Sequence, residues 1–103
     1  MSDMPVSATA IPDEYRADVG RAVEICKAEG CRDVFIFGSV AAGRHRPHSD
    51  LDIGVRGCPP EHFYRLLGRL MDELTHPVDL VDLDLETRVA EFLEQEDQLV
   101  QVG

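Results

Sequence analysis

Residues 34–55 read Val-Phe-Ile-Phe-Gly-Ser-Val-Ala-Ala-Gly-Arg-His-Arg-Pro-His-Ser-Asp-Leu-Asp-Ile-Gly-Val. Val34 to Phe37 is apolar on both alternating faces, which predicts a central strand covered on both sides. It runs straight into Gly38-Ser39. After a polar stretch, Leu51, Ile53 and Val55 alternate with Asp50, Asp52 and Gly54. A strand here turns its aliphatic side chains to one face and both aspartates to the other, because successive residues of a strand point to opposite sides.

Outward from this pair, Pro12 marks the start of a helix, with Asp13 and Glu14 at its positive end. Its apolar stripe is Tyr15, Val19, Ala22, Val23 and Cys26, and Gly30 is suited to end it. Beyond the second strand, Cys58-Pro59-Pro60 opens another helix, with Phe63, Leu66, Leu67, Leu70, Met71 and Leu74 as its core stripe and its end before Pro77. Val78 to Leu83 predicts a third strand. Glu86 to Leu99 predicts a last helix that buries Val89, Phe92 and Leu93. The order describes an α/β (α+β) fold, a small mixed sheet of three or more strands packed with helices. Residues 1–11 are expected to be a loose arm and residues 12–103 one domain.

The chain has 103 residues, with 10 Lys+Arg against 20 Asp+Glu, a net charge of −10. That size allows one core and one site, and burial of roughly two-thirds of the unfolded surface. The acidic balance argues against a direct nucleic-acid binder, since a phosphate backbone would be repelled. The longest apolar run is the four residues from Val34 to Phe37, so the sequence predicts neither a membrane span nor a signal peptide. Cys26, Cys31 and Cys58 form no C-x-x-C pair and no even set, which suits reduced thiols in the cytoplasm. Cys58 with His62, or His45 with His48, makes no four-ligand structural zinc set. His45, His48, His62 and His76 are expected at the surface.

The chemistry gathers in G-S-x10-D-x-D, from Gly38-Ser39 to Asp50-Leu51-Asp52. Glycine lets a phosphate approach the backbone. Ser39, where strand turns to helix, offers a hydroxyl beside free N–H groups. Asp50 and Asp52 are hard oxygen ligands suited to Mg²⁺. A third carboxylate from a neighbouring strand would complete a site for in-line displacement at phosphorus. Asp79, Asp82 and Asp84 are the candidates, with Asp79 favoured because it enters the third strand early and the other two suited to the strand exit or a helix cap.

These residues, with Val78-Asp79-Leu80-Val81-Asp82-Leu83, resemble the minimal nucleotidyltransferase (MNT) domains of the polymerase-beta-like superfamily, over about residues 11 to 100. The resemblance implies the nucleotidyltransferase fold and the antitoxin of a type VII HEPN/MNT toxin–antitoxin pair. The implied activity is transfer of AMP from ATP to a tyrosine of a HEPN-domain RNase toxin, which silences it. It further implies that Gly38 and Ser39 bind the triphosphate, that Asp50 and Asp52 bind Mg²⁺, and that Asp79 is third metal ligand or general base. Two departures stand out. The family's basic residue between the serine and the second glycine is missing from Val40-Ala41-Ala42, leaving Arg44 and Arg46 to supply positive charge to the nucleotide, and His48 stands where an acidic residue is frequent.

Two other functions fit the same residues: an antitoxin that masks its HEPN partner without catalysis, and a small-molecule nucleotidyltransferase that takes its substrate-binding domain from another chain. From Asp79 to Gly103 there are eight acidic residues and one basic, Arg88, a net of 1 − 8 = −7. That is either a solvated helix face or a surface that steers a basic partner.

Overall fold

The computed structural model describes residues 11–43 and 49–103. The expected arm, except Ile11, and the loop residues Arg44, His45, Arg46, Pro47 and His48 lie outside the described residues. Ile11 itself packs into the core. The elements run α1 (Asp13–Ala28), β1 (Asp33–Phe37), α2 (Gly38–Ala41), β2 (Leu51–Arg56), a single 3₁₀ turn (Pro60–His62), α3 (Phe63–Glu73), β3 (Val78–Asp82), α4 (Thr87–Gln95) and β4 (Val100–Gln101).

The four strands form one mixed sheet in the order β3-β2-β1-β4. β1 pairs antiparallel with β2 and with β4, whereas β2 and β3 run parallel. The parallel pair needs a crossover, and α3 supplies it. One face carries Val34, Ile36, Leu51, Ile53 and Val55, all fully buried against α1 and α3. The other carries Phe35, Phe37 and Val81, packed with Leu83, Ala90 and Leu93 around α4. Gly54 lies on this second face, where a Cβ would come within 2.9 Å of Leu83. The missing side chain lets Leu83 lie flat on the sheet.

Three expectations need correction. The last helix stops at Gln95, not Leu99, because Asp97 turns left-handed (φ 55°) and the Gln98 N–H donates back to the Leu93 carbonyl. Turning the chain there frees Val100–Gln101 to form β4, a strand not foreseen. On α4 the buried residues are Ala90 and Leu93, while Phe92 is 57% and Val89 39% exposed. On α3, Leu66, Leu70 and Leu74 face the sheet at i, i+4 and i+8, which leaves Met71 pointing away and 64% exposed.

Candidate active site

The site lies at one end of the sheet, on the face that α4 covers only in part. Phe37 pairs with Asp52 across β1 and β2, and Asp52 pairs with Asp79 across β2 and β3. Residues in register on neighbouring strands share a face, so the Asp52 and Asp79 side chains stand side by side. Asp50 does not belong to the strand as expected; it is exposed, one residue before β2 begins. Burial comes first, then the charges of Asp79 and Asp50, in pushing the half-buried Asp52 carboxyl up to about 6. Three acidic groups therefore act on one another at this point.

Gly38 follows β1 directly and adopts φ +77°, and a Cβ built on it would overlap the Asp52 carboxylate. This close approach is a further requirement for glycine beside the nucleotide contact expected from sequence. Ser39 is half-buried in α2, which is only four residues long and is anchored by the fully buried Val40. Any phosphate contact at this turn would come from individual N–H groups and the hydroxyl, since so short a helix has little dipole.

Asp82 and Asp84 are placed elsewhere. Asp82 is buried on the opposite face of β3 from Asp79, and its Oδ1 accepts the Asp84 N–H at 3.0 Å. The Asp84 carboxylate accepts the Gly57 N–H at 2.8 Å. Both fasten the turn that leaves β3. Arg44 and Arg46 lie outside the described residues.

A supporting strut was missed in the sequence. Asp18 on α1 is buried and accepts hydrogen bonds from the N–H and hydroxyl of Thr75 and from the N–H and Nδ1 of His76. Burial opposes its ionisation, but these donors outweigh it and hold the carboxyl below the usual aspartate range. The His76 ring stacks on Tyr15 at 4.1 Å, and the Tyr15 hydroxyl donates to the Ser49 carbonyl at 2.9 Å. Burial, then the charges of Glu14, Asp50 and Asp18, raise the Tyr15 pKa, so the phenol stays a donor. The Leu51 N–H in turn donates to the Pro77 carbonyl at 2.8 Å. One strut thus fixes both approaches, the one leading to Asp50 and the one leading to Asp79. The signal in the sequence was an aspartate on an apolar stripe, three residues after Tyr15 and four before Ala22.

Among the described residues no three His, Cys, Asp or Glu side chains are gathered into a ready-made metal cage. A divalent ion nevertheless suits the donor set: hard carboxylate oxygens in register, whose mutual repulsion a cation would relieve. No described helix is long and apolar enough to cross a membrane.

The family model of polymerase beta nucleotidyltransferases matches residues 22–101. No curated protein matches the chain. Among solved structures, it is similar to one described as a toxin–antitoxin with AMP-PNP, with a TM-score of 0.67 and 24% identity over 81% of this chain and 70% of that one. A toxin–antitoxin MntA-HepT structure gives 0.62 and 21% over 84% and 69%. A structure described as a minimal nucleotidyltransferase gives 0.65 and 29% over 100% and 99% of the two chains. Because the matched stretch carries Asp52 and Asp79 on neighbouring strands of the sheet, with Gly38-Ser39 and Asp50 at the strand ends beside them, the chain belongs to the polymerase beta nucleotidyltransferase family, as one of its minimal domains.

Proposed function

We propose that this protein is the antitoxin of a type VII toxin–antitoxin pair and transfers AMP from ATP to a tyrosine of a HEPN-domain RNase toxin, silencing it in the cytoplasm. The observation that carries the reading is Asp52 in register with Asp79, with Gly38 against the Asp52 carboxylate. The likeness to two toxin–antitoxin structures, one holding AMP-PNP, supports the choice of partner and nucleotide.

Asp50 and Asp52 would hold Mg²⁺, with Asp79 as third ligand, and the ion would supply charge neutralisation at the triphosphate. Gly38 and Ser39 would bind phosphate oxygens, and Arg44 and Arg46 would add positive charge. The acceptor hydroxyl attacks the α-phosphorus, its proton passes to Asp79, and the bond to pyrophosphate breaks. Binding energy from the partner protein brings the hydroxyl to the nucleotide, since a domain of this size has little room beside the nucleotide to hold a small acceptor molecule.

The test is mass spectrometry of the paired HEPN-domain protein after incubation with this chain, ATP and Mg²⁺. One or more added AMP units on tyrosine are expected, and none with Asp50→Asn. If the partner is neutralised without modification, and Asp50→Asn protects cells equally well, masking replaces catalysis.

A further inference from the structure

Large apolar side chains are left in the open on one side of the molecule. Tyr64 is 82% and Leu85 72% exposed, and Val89 joins them in lining a groove of about 400 Å³. Phe63 and Leu80 line it as well. Phe92, three residues after Val89, extends the same stripe along α4. At helical spacing such a stripe is what a buried face looks like, yet none of the described residues covers it. Among the described residues β3 pairs with β2 alone and forms an edge of the sheet, so one side of the groove is a strand edge.

Among the described residues, the charged ones that line the groove are the exposed Glu86 and the buried Asp82, and none of the lining is basic. A second copy of this chain would bring the same acidic lining and a net charge of −10 against it. The complementary occupant is a different protein, with an apolar segment flanked by Lys or Arg. The groove also begins on the strand that carries Asp79, and at about 3.3 Å per residue Asp82 lies only about 10 Å further along β3.

We infer that this groove is the docking surface for the acceptor protein of the transfer, which lays a basic-flanked apolar segment between α3 and α4 and so delivers its hydroxyl beside Asp79. This rests on the protein-acceptor reading above. It adds the surface that selects the acceptor, separate from the residues that handle the nucleotide.

Titration calorimetry with the purified paired HEPN-domain protein tests it, using the full chain and its Tyr64→Ala, Leu85→Glu and Phe92→Glu variants. These side chains are exposed, so the variants should fold, and ATP affinity of each should equal that of the wild type. Binding to the HEPN-domain protein should weaken at least about tenfold in Leu85→Glu and Phe92→Glu. If the wild type binds the HEPN-domain protein and all three variants bind it equally well, the groove is the wrong surface while the protein-acceptor reading stands. A wild-type chain that neither binds nor modifies the protein overturns that reading and the groove with it. If the isolated chain is a dimer by sedimentation and Leu85→Glu dissociates it, the occupant is a second copy and the inference fails.

Discussion

Replacing Asp52 with asparagine should make the folded chain more stable at pH 8, even though the same change removes the transfer activity proposed for it. The carboxyl is pushed up to about 6 in the fold, from 3.8, by burial and by Asp79 and Asp50. Between those two values the folded chain holds a proton that the unfolded chain has released, so stability falls as pH rises through this range. The full difference corresponds to about 3 kcal/mol, and the half-exposed position with its solvent screening reduces the expected cost to about 1–2 kcal/mol. Asparagine keeps the shape and removes the charge. Urea unfolding with EDTA present, compared at pH 8 and pH 4, reads this directly. The variant should exceed the wild type by about 1–2 kcal/mol at pH 8, and the gap should close near pH 4, where the wild-type carboxyl is protonated. A variant less stable than the wild type at pH 8, or a gap that does not change with pH, would refute the electrostatic account of the site.

Asp79→Asn should cost roughly 10²–10⁴-fold in transfer rate if it takes the acceptor proton, with ATP binding retained. Asp82→Asn should instead leave the rate little changed, while Asp82→Ala should lower stability by about 1 kcal/mol through the lost bond from the Asp84 N–H; rate assays that show the reverse order would make Asp82 the third carboxylate. Gly38→Ala should lose activity and destabilise the fold by at least about 1 kcal/mol, since it adds a methyl against Asp52 at a positive φ, and a fully active, equally stable variant would contradict the close approach seen there. Asp18→Asn should destabilise by about 2–3 kcal/mol by disturbing the buried bonds from Thr75 and His76. The depressed Asp18 carboxyl contributes stability above its unfolded value that is lost as pH falls through the folded one, so the penalty of this variant should shrink on acidification; thermal melts across pH 3–7 would show it.

Sequence alone determined the first three strands and the elements of the site that belong to one stretch of chain. The alternation from Asp50 to Val55 follows from covalent geometry, which sends neighbouring side chains of a strand to opposite faces wherever that strand sits. The Gly38-Ser39 turn and its spacing to Asp50 and Asp52 are legible for the same reason. Relations between distant stretches were decided only in the tertiary structure. Whether Asp79 or Asp82 stands beside Asp52 depends on the register of two parallel strands joined through α3, and a slip of one residue would exchange their faces. Asp18 reads as an anomaly on a helix stripe until Thr75 and His76 come to meet it from 57 and 58 residues away. The stripe of Val89 and Phe92 carries the period of a buried face, but period cannot say what buries it. On α4 the sheet has room for Ala90 and Leu93 only, because the helix meets it along one narrow line, and the neighbouring side chains are left facing outward.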